Sequence, residues 1–184
     1  LQRMTTEKKN EVLEAVAEAL IQNTEYLLLE NHKDLERGIA NQMNPGLVDR
    51  LRLTKERIAG MAEGIRQIVK LPDPGGEILD DYEAENGLHI VKKRVPMGVI
   101  GIIYESRPNV TADAFGLCFK SGSAVILKGG SDAIRSNMAI TKVIQDAVVR
   151  RGVDPYVIQL IESTDRSVVN EFMKMKQYVD LLIP

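Results

Sequence analysis

The sequence predicts an α/β protein: a doubly wound parallel sheet with N-terminal helices and a β-hairpin. Three observations predict it. Short apolar runs rich in β-branched residues, bounded by Gly and Pro, recur in the second half: Val99 to Ile103, Ala124 to Leu127, Val157 to Ile161 and Val179 to Ile183. Such runs are the pattern of strands buried on both faces. Amphipathic segments separate them, giving βαβαβαβ order, and each crossover should be right-handed. The stretch before residue 77 instead carries helical spacing, and Asn86-Gly87 between two strand-like runs marks a hairpin.

In chain order, Thr5 and Thr6 cap a first helix whose apolar stripe is Val12, Leu13, Val16, Ala17, Leu20 and Ile21. Asn23-Thr24 reads as a break and a new cap. Tyr26, Leu27, Leu28, Leu35 and Ile39 continue a second helix, with an interruption expected near Asn31. Asn44-Pro45-Gly46 is a turn, and residues 47–51 make a short helix. Thr54 caps a third long helix bearing Ile58, Met61, Ala62, Ile65, Ile68 and Val69, which the Pro72 to Gly76 segment ends. A two-stranded hairpin is unstable alone, so residues 77–95 should pair with the domain's own sheet or with another subunit. Ala133 to Arg150 is an amphipathic helix stopped near Gly152, and residues 168–176 form another. The organisation expected is a helical part of a cofactor domain over 1–76, an oligomerisation hairpin over 77–95 and a parallel βα region over 96–184.

With 184 residues, 44% of them hydrophobic, the chain can bury one good core or one domain with an appendage. The formal charge of −2 gives no global basic field for nucleic acid. One cysteine allows no disulfide framework or thiolate zinc cluster within the chain, which fits a reducing, cytoplasmic setting. No apolar run approaches the ~18 residues of a membrane span, and the opening has no apolar core of a signal peptide. The closing Tyr178-Val-Asp-Leu-Leu-Ile-Pro184 stops on a strand without a following loop, the pattern expected of part of a longer protein.

Two loops at strand ends concentrate polar groups, and open α/β sheets bind ligands at the carboxyl ends of their strands. In Lys128-Gly129-Gly130-Ser131 the glycines permit close backbone approach, and the helix start that follows favours an anion. Lys128 suits a ribose hydroxyl or a phosphate; the other reading is a plain βα turn with a solvated lysine. In Tyr104-Glu105-Ser106-Arg107-Pro108-Asn109, the Arg107 fork suits a carboxylate or phosphate, and the Asn109 amide suits an oxyanion. Here the alternative is a proline turn in which Asn109 or Thr111 opens a helix. Cys118, between Leu117 and Phe119, reads as an inert core thiol. His32 and His89 are isolated and lack ligand spacing. Lys92-Lys93-Arg94 reads as a solvated strand edge.

The segment VPMGVIGIIYESRPNVTADAFGLCFKSGSAVILKGGSDAIRSN closely resembles the gamma-glutamyl phosphate reductase family, a branch of the aldehyde dehydrogenase superfamily. TTEKKNEVLEAVAEAL, NHKDLERG, LVDRLRLTKERIAGMAEGIRQIVKLPDP and YVDLLIP extend the resemblance over essentially the whole chain. It implies a Rossmann-like cofactor region of the aldehyde dehydrogenase type, and reduction of L-glutamate 5-phosphate by NADPH to glutamate 5-semialdehyde in proline biosynthesis. By similarity, Lys128, Gly129, Gly130 and Ser131 face the cofactor, with Lys128 and Ser131 at its adenosine ribose. Ser163 falls near the adenine, and Tyr104, Ser106 and Arg107 lie along the cofactor's path. Asn109 matches the oxyanion asparagine. The family's nucleophilic cysteine belongs to a later domain expected after residue 184, so Cys118 does not fill that role and the chain alone should not turn over. Lys128 suits the 2′-phosphate of NADP and equally the diol of NAD. The runner-up is a stand-alone nucleotide-binding or oligomerising module.

Overall fold

The computed structural model describes residues 1–165 and 167–184. Helix α1 (Thr6–Gln22) starts where the Thr5 hydroxyl accepts from the Lys8 N–H. It buries Val12, Leu13, Val16, Ala17 and Leu20, while Ile21, at the margin of the expected stripe, is exposed. Asn23 ends α1 and opens α2 (Thr24–Ala40). The expected interruption at Asn31 does not occur: α2 runs through it, and the Asn31 side chain is buried. Its amide donates to the Leu51 carbonyl at 2.8 Å and to Ser136 Oγ at 3.0 Å, and its oxygen accepts from the Leu53 N–H at 2.8 Å. A polar residue on an apolar stripe is here an internal strut rather than a break. Helix α3 (Pro45–Leu51) begins two residues earlier than expected, because Pro45 is preset for the first helical position and Asn44 caps the Gly46 N–H. Helix α4 (Lys55–Lys70) is capped by Thr54 and buries Ile58, Met61, Ala62, Ile65 and Ile68.

Strands β1 (Ile78–Glu83) and β2 (His89–Lys93) form a separate antiparallel pair and do not join the main sheet. The turn holds three residues. Gly87 N–H donates to the Ala84 carbonyl and Ala84 N–H to the Leu88 carbonyl, each at 2.8 Å, and Gly87 takes φ +82°. This is a tight turn closed by a left-handed glycine, a conformation that a side chain strains.

The main sheet comprises β3 (Val99–Ile103), β4 (Ala124–Lys128), β5 (Ile158–Leu160) and β6 (Leu181–Ile183), all parallel, in the order β5-β4-β3-β6. Helices α5 (Asn109–Lys120), α6 (Ile134–Arg150) and α7 (Ser167–Lys174) supply the crossovers. Strand β5 is shorter than its apolar run because Asp154 caps the Tyr156 N–H and winds Pro155–Val157 into a 3₁₀ turn. The order reverses at β3, a topological switch point whose crevice opens at the carboxyl ends. Ile100 belongs to the apolar core and Ile102 packs against it. Gly101 alternates to the other face, where a Cβ would lie 2.7 Å from the Phe172 ring of α7, so α7 closes on a face that only glycine leaves open.

One continuous apolar cluster joins α1 and α4 to α5, α6 and the sheet, with Phe115 and Phe119 among its largest buried side chains. A buried ion pair ties the two ends of the helical region together: Lys9 Nζ meets Asp73 Oδ2 at 2.8 Å. Asp73 also accepts from Thr6 Oγ1 at 3.1 Å and from the Gly75 N–H at 2.8 Å. Among the described residues no helix is long and apolar enough to cross a membrane.

Candidate functional site

Three loops leave the carboxyl rim of the sheet: Tyr104 to Pro108 after β3, Gly129 to Ser131 after β4, and Ile161 to Asp165 after β5. The first two interlock. Tyr104 N–H donates to the Lys128 carbonyl at 3.1 Å, extending the β3–β4 ladder by one bond. The Tyr104 hydroxyl meets Thr111 Oγ1 at 2.7 Å, and Thr111 donates to Asn137 Oδ1 at 3.2 Å. Burial pushes the Tyr104 phenol up to about 12, so it stays protonated and serves as a strut. A Cβ on Gly129 would lie 2.3 Å from Asn137 Nδ2, and one on Gly130 would lie 2.3 Å from Ser106 Oγ. Both glycines are therefore required by contact with the neighbouring loop and with α6.

Lys128 ends β4 with its side chain buried, and its Nζ donates to the Gly129 carbonyl at 3.1 Å. The solvated lysine of the plain-turn reading does not occur. Ser131 is exposed at the start of a 3₁₀ turn that leads into α6. The N–H groups expected to await an anion at this helix start are taken. Asp34 of α2 accepts from the Ser136 N–H and Ser136 Oγ at 2.7 Å each, and from the Arg135 N–H at 3.2 Å. Burial nevertheless raises the Asp34 carboxyl above its ordinary value, against these hydrogen bonds. Arg37 completes the clamp, donating to Asp34 Oδ1 at 2.9 Å and to the carbonyls of Ser131 and Asp132 at 2.8 and 3.0 Å. Sequence reasoning missed Asn31, Asp34 and Arg37. The available signal was polar Asn31 and Asp34 sharing the helical stripe of Leu27 and Leu35.

Ser106 Oγ lies 3.5 Å from Asp132 Oδ2. Arg107 is exposed, its Nε 3.6 Å from Glu105 Oε2. Asn109 opens α5, so the helix begins at the first of the two expected positions. Its amide donates along its own helix to Asp113 Oδ2 at 3.3 Å. Ser163 is exposed on the third loop and accepts from the Asp165 N–H at 3.2 Å. Cys118 is buried, and burial pushes its thiol up to about 11. His32 and His89 are exposed beside Glu36 and Asp81.

Two neighbouring hollows flank the interlocked loops and share Arg50 and Arg107. One, of about 230 Å³, includes Ser106 and Gly130; the other, of about 410 Å³, includes Asn109 and Asp113. A third, of about 460 Å³, lies between α6 and the end of β5, lined by Met138, Ala139, Thr141, Leu160 and Glu162. The Thr141 hydroxyl and Asn137 Nδ2 are buried without a hydrogen-bond partner among the described residues.

A parallel sheet with its loops gathered at one rim and its strand order reversing at β3 defines a ligand-binding α/β domain of the doubly wound class. The chain belongs to the aldehyde dehydrogenase family, whose profile it matches over residues 1–182. It is 54% identical over its full length to a gamma-glutamyl phosphate reductase of Lachnospira eligens, and covers 44% of that protein. The crystal structure of the Thermotoga maritima gamma-glutamyl phosphate reductase matches all of the chain with TM-score 0.97 at 40% identity, over 44% of its own chain. The Saccharomyces cerevisiae gamma-glutamyl phosphate reductase matches it with TM-score 0.90 at 29% identity, again over all of this chain and 47% of its own. The chain thus spans less than half the length of these relatives.

Proposed function

We propose that the chain is the N-terminal, cofactor-binding part of an NADPH-dependent reductase. The reaction converts L-glutamate 5-phosphate to L-glutamate 5-semialdehyde and phosphate, a step of proline biosynthesis in the cytoplasm. The observation that carries the reading is the loop-bearing rim of the parallel sheet, in a chain 54% identical throughout to a protein of that name. The hollow beside α6 fits an adenosine. Met138, Ala139 and Leu160 offer it apolar walls. We assign the ribose to Lys128 and Ser131, the adenine side to Ser163, and the path toward the nicotinamide to Tyr104, Ser106 and Arg107 beside Gly129 and Gly130.

The cofactor, when bound, supplies a hydride to an acyl carbon. This chain's residues hold and orient it, and the Asn109 amide is a donor for an oxyanion once released from Asp113. In the mechanism that the superfamily resemblance implies, a cysteine thiolate displaces phosphate from the acyl carbon. Cys118, buried with a raised pKa, does not fill that role, and we assign it to a cysteine in the remainder of the reductase. The hairpin is the surface through which we expect copies to associate.

Titration of the chain with NADPH and NADH, monitored by cofactor fluorescence, tests the reading. The expected result is binding of NADPH that weakens in Lys128→Met, with no semialdehyde formed by the chain alone. Equal affinity of parent and variant for both cofactors would remove Lys128 from the site. Robust turnover by the chain would overturn the assignment of the nucleophile.

A further inference from the structure

The hollow beneath α3 and α4 carries a charge arrangement that extends beyond the cofactor's path, which it meets at Arg107. Four arginines line it: Arg50, Arg52, Arg57 and Arg107. Arg57 is already committed. Its Nη2 meets both Asp49 carboxylate oxygens at 3.2 Å, and its Nη1 donates to the Arg52 carbonyl at 2.7 Å. That neutralises Asp49 and fixes the joint between α3 and α4. The other three guanidinium groups have no hydrogen bond to a carboxylate among the described residues. Arg50 and Arg107 stand 3.8 and 3.6 Å from one oxygen of Glu105, and Arg52 forms no ion pair among the described residues.

Asp113 lines the same hollow from α5. It is half-buried, and its side-chain partner among the described residues is the Asn109 amide at 3.3 Å. No lysine or arginine among the described residues pairs with it. Burial raises its pKa, as expected of a carboxylate that lacks a cation. A Cβ on Gly64 would lie 3.5 Å from Asp113 Oδ1, so α4 backs directly onto the acid.

A simple oxyanion would suit the arginines and meet repulsion from Asp113. A group bearing both a carboxylate and an ammonium satisfies both, because a guanidinium fork matches a carboxylate and a half-buried acid gains most from a cation. We propose that this hollow takes the α-amino-acid head of the substrate, with its carboxylate on Arg52 and Arg107 and its ammonium on Asp113. The volume of about 410 Å³ accommodates it. Arg50 and Arg107 also wall the hollow that contains Ser106 and Gly130, so the acyl end of the same molecule has a continuous route toward the interlocked loops. The inference rests on the substrate named above, and it places part of substrate recognition within this chain.

Amide chemical-shift titration of the isotope-labelled chain tests it, with L-glutamate, glutarate and inorganic phosphate as separate probes. L-Glutamate should move the amides of Gly60, Asn109 and Asp113. Glutarate, which lacks the ammonium, should bind roughly tenfold or more weakly, and Asp113→Asn should abolish that difference. Arg52→Gln, altering an exposed side chain, should weaken L-glutamate by a similar factor while the spectrum reports an intact fold. Equal response to glutarate, tighter binding of phosphate, or no response to L-glutamate up to tens of millimolar would each overturn the proposal. NADPH, titrated in parallel, should move Ser131 and Ser163 instead. Its failure to bind would count against the cofactor reading alone.

Discussion

Asp73 shows how much a single buried charge can carry. Its carboxylate joins α1 to the segment after α4, accepting from Lys9, Gly75 and Thr6. Burial pushes its pKa up, but these hydrogen bonds outweigh that and hold it below the usual carboxylate range. A folded pKa below the unfolded one means stabilisation present above the unfolded value of ~3.9 and lost as pH falls through the folded value. Asp73→Asn should cost about 3–5 kcal/mol in urea unfolding at neutral pH, because Lys9 is left buried without its counter-charge. It should also flatten the acid limb of the stability profile. Cys118 gives a second expectation at this scale. With its thiol raised to about 11 and its side chain in the core, it should react with a disulfide reagent at pH 8 only as fast as the chain unfolds. Rapid native labelling would contradict the packing described.

Among the elements, the hairpin stands apart. Its β1 and β2 residues are all exposed, including Ile78, Leu79, Tyr82, Ile90 and Val91, and among the described residues the pair has no third strand. Apolar residues on an unpaired ribbon call for a covering surface. On the association proposed above, Val91→Asp should lower the mass seen by light scattering toward that of a single chain, with unchanged helical circular dichroism. An unaltered oligomer would exclude this face. The hairpin was plain in the sequence because Asn86-Gly87 and alternating residues are local signals. The strands of the main sheet were plain for the same reason. What could not be read was whatever depends on residues far apart in the chain. Asn31 looked like a helix break because its partners, Leu51, Leu53 and Ser136, lie elsewhere. Gly129 and Gly130 read as glycines that permit close approach, but which groups approach them, Tyr104, Ser106 and Asn137, only the fold shows. The hollow with Arg50, Arg52 and Arg57 needed the fold to bring α3 and α4 to Arg107.

Across the whole molecule, the boundary drawn at residue 76 is not a break in the core. Val12, Leu13, Ile58 and Ile65 belong to the same apolar cluster as Phe115, Val125 and Ile144. A shared core predicts one cooperative transition. Far-ultraviolet circular dichroism and tyrosine fluorescence should therefore give coincident urea midpoints; two separated transitions would assign the first helices a stability of their own. The clamp on α6 has a consequence at this scale as well. The positive end of that helix is corked from within by an acid of α2, leaving no vacancy for a visiting phosphate. A dinucleotide seated on this rim must then be gripped by side chains and loop backbone, in contrast to folds that rest the pyrophosphate on a helix tip. Pulling the cork with Asp34→Asn should loosen the molecule while leaving nucleotide affinity nearly untouched.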